Sequence, residues 1–141
     1  MEPNHDIRWQ QRFNNFERAL HLLSELVDEK DDIQALRPII KEGFIQRFQF
    51  TFELAWKTLK DKMVHDGLQI DKVSPKFVFK QAYQAGYITQ IESWLKMCND
   101  RNLMSHTYDV KRFDNVLESL EKEYYPLLSE LYTDFVEAQI Q

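Results

Sequence analysis

Apolar residues recur along this chain at alternating steps of three and four, the spacing that lines one face of an α-helix. Trp9, Phe13, Phe16, Leu20, Leu23 and Val27 keep that rhythm and predict a first helix from about Asp6 to Val27. Asp28 to Asp32 is a run of charge that reads as a solvated connection. A second helix is expected from about Leu36 to His65. Pro38 sits in its first turn, where the missing N–H costs nothing, and Asp66-Gly67 supplies a left-handed stop. Its inner stripe is Phe44, Phe48, Phe52, Ala55, Leu59 and Met63. Ile45, Phe50 and Trp56 fall outside that stripe, so the helix is apolar on more than one side. Such a helix is either central in a bundle or part of a subunit interface.

Ser74-Pro75 gives the cap and first-turn proline of a short third helix, which packs through Phe77, Val78, Ala82 and Tyr83 and ends at Gly86. Thr89 and Glu92 fit a capping box, with Thr89 as the cap of a fourth helix. That helix carries Ile91, Trp94, Leu95 and Cys98 on one arc. A last helix follows Asp109, a good cap, and runs through Phe113, Leu117, Leu120, Tyr124, Leu127, Leu131 and Phe135. Pro126 inside that pattern predicts a kink or a break. The elements add up to an all-α fold, an up-and-down four-helix bundle with an additional short helix, and residues 1–141 read as one domain. With only 3 Gly and 4 Pro, little interrupts the helices. The 10 Phe, 6 Tyr and 3 Trp suggest an aromatic core and more apolar surface than one chain hides.

On the fourth helix, Arg101, Asn102, Ser105 and His106 continue the arc of Trp94 and Cys98, so the inward stripe is expected to turn polar in its last two turns. Such residues face inward when they are paired or when the face opens into a site. A guanidinium is a planar cationic fork suited to phosphate oxygens, and an imidazole takes and returns a proton near neutrality. In RNA the 2′-hydroxyl is an internal nucleophile, so a proton shuttle, His106, and a stabiliser of phosphorane charge, Arg101, would suffice without a metal. DNA lacks that hydroxyl and should resist. Arg101 and His106 stand about 140° apart on a straight helix. A widened turn, a helix ending near Ser105, or a second subunit across a shared cleft would bring two such groups over one phosphate.

Arg101-Asn102-x-x-x-His106 resembles the signature of the HEPN superfamily, whose members include metal-independent endoribonucleases and toxins. His106-Thr107-Tyr108 extends it to a form similar to the HEPN toxin of HEPN-MNT toxin-antitoxin pairs. There a minimal nucleotidyltransferase silences the toxin by transferring AMP to the motif tyrosine. Phe52-Glu53-Leu54-Ala55-Trp56-Lys57, Ala82-Tyr83-Gln84-Ala85-Gly86 and Trp94 widen the likeness to nucleotidyltransferase substrate-binding proteins over nearly the whole chain. The resemblance implies a HEPN-like homodimer, with Arg101 and His106 catalytic, Asn102 orienting them and Tyr108 as AMP acceptor. It implies no cofactor in this chain, with ATP and Mg²⁺ on the partner nucleotidyltransferase. Glu53 and Lys57, four apart, either form an ordinary surface ion pair or support Arg101.

The net charge of −5 weighs against general nucleic-acid binding, which rests on a basic footprint. A local patch from Lys76, Lys80, Lys96, Lys111 and Arg112 is the expected exception. Cys98 stands alone, with no disulfide partner and no thiolate cluster, and reads as a small buried hydrophobe. His5, His21 and His65 lack metal-ligand spacing, so no metal is assigned. Met1 to Trp9 is too polar for a signal peptide and no run approaches the length of a membrane span, so a cytoplasmic protein is expected. The leading expectation is a metal-independent endoribonuclease toxin silenced at Tyr108. The alternative is a non-catalytic subunit that binds the substrate or nucleotide of a two-component nucleotidyltransferase.

Overall fold

The computed structural model describes residues 3–29, 32–106 and 110–140, leaving aside the side chains of 3–7, 29, 106, 110–112, 139 and 140. All its regular elements are helical: α1 (Pro3–Glu29), a 3₁₀ turn (Ile33–Ala35), α2 (Pro38–His65), α3 (Pro75–Gln84), α4 (Ile91–His106), α5 (Val110–Ser119), a π-helical turn (Leu120–Tyr124) and α6 (Tyr125–Ile140). The chain is all-α, as its periodicity predicts.

The long helix α2 is central. It packs against α1 along most of its length and also touches α3, α5 and α6. Its inner stripe is buried as expected, and so are Ile45 and Trp56 from outside that stripe, whereas Phe50 is 63% exposed. The α1 seam of Trp9, Phe13, Phe16, Leu20 and Leu23 is buried. Its aromatic members converge on Phe135 of α6, with ring centroids 5.5, 6.0 and 6.2 Å from Trp9, Phe13 and Phe16. Burial of each such side chain stabilises the fold by about 1.5–3 kcal/mol before the ordering entropy is set against it. One charge lies inside this packing: Asp61 is buried between Lys60, at 3.3 Å, and Arg12 of α1, at 3.7 Å.

The glycine stops act as the sequence predicts. Gly67 takes φ +96°, and the N–H groups of Leu68 and Gly67 donate to the carbonyls of Met63 and Val64. Gly86, at φ +84°, repeats the pattern with Tyr87 and Ala82. Both are Schellman closures, whose left-handed residue glycine adopts without a Cβ penalty.

Four local expectations are corrected. On α3, Phe77 and Tyr83 do not pack but are 45% and 48% exposed, because Val78, Phe79 and Ala82 take the core face. Ser74 is the N-cap of α3 as expected, with extended backbone and its carbonyl accepting the first helical bond from Val78, but its side chain makes no cap bond. The fourth helix opens at Ile91, one residue later than a Thr89 cap requires, with Gln90 at φ +56° and its carbonyl accepting from Ser93 and Trp94. Of the kink or break expected at Pro126, the break does not occur. The π-helical turn just before the proline lets the Tyr125 N–H reach back to the Leu120 carbonyl, and helical backbone continues into α6. A wider turn relaxes the register in which a proline ring collides with the preceding carbonyl. The proposed Asp109 cap lies outside the described residues.

Candidate functional site

The site is built from α2 and α4, with the start of α3 at its edge. The inward stripe of α4 is Trp94, Met97, Cys98 and Met104, all buried. It does not turn wholly polar: Met104 keeps it apolar, Arg101 is half-buried beside it, and Asn102 and Ser105 are exposed. The physical reason is the helical step. Met104 falls three residues after Arg101, back on the core face, while Asn102 and Ser105 rotate outward.

Arg101 crosses to α2. Its Nη2 lies 3.0 Å from Glu53 Oε2, its guanidinium carbon 5.7 Å from the Phe52 ring centroid, and its Nη1 3.5 Å from Asn102 Oδ1. The buried Phe52 ring supports the fork from below, as cation–π geometry favours. Glu53 is the hub. Its Oε1 accepts Lys57 at 3.1 Å, and its Oε2 accepts the Trp56 indole N–H at 3.0 Å besides Arg101. Both readings of the Glu53–Lys57 spacing therefore hold: the pair forms, and Glu53 also supports Arg101. Partial burial raises the Glu53 pKa, but the hydrogen bonds from Trp56 and Lys57 and the charges of Lys57 and Arg101 outweigh it and hold the carboxyl below its ordinary range.

Between these residues and the N-terminus of α3 lies a cavity of about 180 Å³, lined by Phe52, Ser74, Lys76, Cys98, Arg101 and Asn102, with Pro75 at the rim. One wall is apolar and the other carries a fixed guanidinium, an amide and an ammonium, a set suited to an anion with an attached ring or sugar. Cys98 contributes a thiol, not a nucleophile: burial pushes its pKa up to about 12, against the pull of the Lys76 and Arg101 charges. Ser105 lines a different hollow, of about 390 Å³, with Gln46, Gln49, Met104 and Phe113. A larger open groove of about 610 Å³ between α1 and α6 holds no residue of the motif, and its Tyr132 hydroxyl is already committed to Glu17 at 2.7 Å.

The α4 backbone is helical through His106, so neither a widened turn nor a stop at Ser105 brings Arg101 and His106 together. The His106 side chain and Tyr108 lie outside the described residues. Of the five lysines and arginines expected to form a local patch, Lys76 lines the cavity and Lys80 follows it on α3. Lys96 does not join them, because it pairs with Glu123 at 2.8 Å. The side chains of Lys111 and Arg112 lie outside the described residues. Among the described residues no three His, Cys, Asp or Glu side chains are grouped to hold a metal, and no helix is long and apolar enough to cross a membrane. What sequence reasoning missed is the Trp56 indole, whose bond to Glu53 was signalled by the Glu-x-x-Trp spacing of one helical turn.

Comparison with known proteins gives three findings. A stretch 32% identical over 73 residues is shared with a Haemophilus influenzae protein named "Probable ribonuclease HepT", covering 50% of each chain. The match thus spans about half the length of that curated relative. A crystal structure of a Thermus thermophilus protein superposes with a TM-score of 0.69 at 28% identity, over 87% of this chain and 97% of that one. Residues 11–137 match the family described as nucleotidyltransferase substrate binding protein like, and that match takes in Glu53, Arg101, Asn102, His106 and Tyr108. The chain belongs to the nucleotidyltransferase substrate-binding protein family.

Proposed function

We propose that the protein is the toxin of a HEPN-MNT type toxin-antitoxin module, a metal-independent endoribonuclease silenced by AMP transfer to Tyr108. The observation that carries this reading is Arg101, held at the mouth of a cavity by Glu53 and Asn102 with its guanidinium fixed over Phe52. A cation fixed in advance over a partly apolar recess suits charge that develops on a phosphorane. The relative named as a ribonuclease adds support.

In this reading the 2′-hydroxyl oxygen attacks phosphorus while His106 takes its proton. Arg101 stabilises the equatorial oxygens, the P–O5′ bond breaks, and the imidazolium returns the proton to the leaving 5′-oxygen. The products are a 2′,3′-cyclic phosphate and a 5′-hydroxyl. The helical separation of Arg101 from His106 favours an up-and-down HEPN-like bundle that works as a homodimer, with the two subunits facing one cleft. Ile39 and Phe50 of α2, 67% and 63% exposed, supply apolar surface for such a contact. Silencing follows when the Tyr108 oxygen attacks the α-phosphorus of ATP held with Mg²⁺ on a minimal nucleotidyltransferase, and pyrophosphate leaves. The added bulk and negative charge oppose an RNA backbone.

The family's own description and the net charge of −5 favour a second reading, a non-catalytic subunit that binds the substrate or nucleotide of a two-component nucleotidyltransferase. Intact mass after incubation with the candidate nucleotidyltransferase, ATP and Mg²⁺, beside Tyr108→Phe, separates the two. A gain of AMP lost in the variant, together with RNA cleavage that falls about 10²- to 10⁴-fold in His106→Ala, supports the toxin. A stable complex with neither AMP gain nor cleavage supports the binding subunit. Cleavage of DNA at a comparable rate would rule out the 2′-hydroxyl route.

A further inference from the structure

We propose that the outer face of α3 is a subsite for single-stranded RNA beside the Arg101 cavity. Phe77 stacks a base there, and Lys72, Lys76 and Lys80 contact the neighbouring phosphates. The inference rests on the ribonuclease reading and adds to it where the substrate strand lies.

Three observations converge on this face. The first is charge. Lys41, Lys57, Lys60, Lys62, Lys96 and Lys122 each pair with a carboxylate at 2.6 to 3.3 Å. Among the described residues Lys72, Lys76 and Lys80 have no such partner, and α3 itself contains no Asp or Glu. In a chain of net charge −5, cations left uncompensated together mark where a polyanion is tolerated.

The second is the ring. Val78, Phe79 and Ala82 turn inward and are fully buried, so the core face of α3 is already filled. Phe77 turns outward and is 45% exposed, with the Lys72 Nζ 4.5 Å and the Lys80 Nζ 5.7 Å from its ring centroid. An ammonium over an exposed ring is weakly held on a flexible stem. It can swing to a phosphate when a base takes the ring face. Stacking on an aromatic flanked by cations is the sequence-tolerant way in which single strands are gripped.

The third is continuity. Lys76, next to Phe77, lines the same cavity as Arg101 and Asn102. A strand whose phosphate lies against Arg101 therefore meets Lys76 and then Phe77 without crossing an acidic surface of α3.

The test uses the full chain and a fluorescent, uniformly 2′-O-methylated oligonucleotide, which binds without being cut, with affinity followed by anisotropy against salt. Phe77→Ala should weaken binding about 5- to 100-fold, and Phe77→Trp should preserve it. Lys72→Ser/Lys80→Ser should flatten the logarithmic salt slope by about 1.4. Circular dichroism should be unchanged in each, since all three side chains are exposed. If Phe77→Ala and the double lysine variant bind like the wild type while Arg101→Ala does not, the subsite is overturned and the ribonuclease reading stands. If the wild type binds no oligonucleotide, the subsite is overturned, and cleavage of unmodified RNA decides the ribonuclease reading separately. If the α3 variants leave RNA affinity intact but abolish a complex with a nucleotidyltransferase, the face is a protein contact and the proposal is overturned.

Discussion

Arg101 and Glu53, 48 residues apart in sequence, meet with Nη2 and Oε2 3.0 Å apart, and the same carboxylate also holds Lys57 and the Trp56 indole. A guanidinium tethered on one edge keeps its other edge aimed at the cavity. Glu53 is thereby a positioning residue for Arg101. Under the ribonuclease reading, Glu53→Gln should lower kcat about 10- to 100-fold with a smaller change in KM, because a loosened cation loses alignment more than attraction. Arg101→Lys should not restore activity, since an ammonium cannot span Glu53 and a phosphate with one planar fork. Steady-state cleavage of a defined RNA measures both.

The same carboxyl sets an acid limb. Its folded-state pKa lies below the ordinary 4.5 because the bonds from Trp56 and Lys57 and the charges of Lys57 and Arg101 overcome the burial that raises it. A depressed value contributes stability that is complete above the unfolded pKa and lost as pH falls through the folded one. Urea midpoints of the wild type and Glu53→Gln should therefore differ most above about pH 5 and converge as the pH falls through the depressed folded-state value. A constant difference across that range would remove Glu53 as the source.

Two phenylalanines two positions apart on α2 should behave in opposite ways. Phe52 is fully buried against Phe48 and Phe79, at 6.2 and 5.9 Å, and Phe52→Ala should cost about 3–5 kcal/mol of unfolding free energy. Phe50 is 63% exposed, and Phe50→Ser should change the stability of the monomer by less than about 0.5 kcal/mol. Denaturation at low protein concentration reads both.

Cys98 should be inert in the native protein. With its thiol pushed up to about 12 by burial, almost no thiolate exists at neutral pH. Reaction with a disulfide reagent should be slow in buffer and rapid in denaturing urea. Fast native labelling would mean that the packing around Cys98 opens readily.

Tyr124 is buried in the π-helical turn, stacked 5.8 Å from Phe48, and its hydroxyl donates to Asp100, the residue before Arg101. Burial, the Asp100 bond and the nearby carboxylate charges push its pKa well up. A raised value contributes stability that is present below the unfolded pKa, about 10, and lost as pH rises beyond it. Tyr124→Phe should cost about 1–3 kcal/mol near neutrality and lose less than the wild type above about pH 10, read from urea midpoints.

The helices were legible wherever one periodic face settled the matter. The α1 seam, the inner stripe of α2 and the glycine stops at Gly67 and Gly86 all lie where spacing puts them. What escaped depends on partners distant in sequence. Asp61, flanked by Lys60 and Lys62, looks like a surface residue until Arg12 of α1 is packed over it. Lys96 looks like part of a basic patch until Glu123 takes it up. In the site, the Arg-Asn-x-x-x-His motif and the Glu53–Lys57 spacing were visible, but the bridge from Glu53 to Arg101 was one of two alternatives that only packing could choose between. The polar end of the α4 stripe was overstated because Met104 was left off the arc it occupies.

The π-helical turn at Leu120–Tyr124 adds one more residue to its loop than an α-turn would hold. Everything before it is rotated by roughly 100° relative to everything after. Asp114, before the turn, faces Lys41 of α2 at 3.0 Å, whereas Tyr132, after it, faces Glu17 of α1 at 2.7 Å. One rod thus serves two neighbours that a uniform helix would face with a single stripe. Shortening the turn by one residue would leave the composition of the helix nearly intact and still turn α5 away from its seat, as a key with one notch filed off no longer fits its lock.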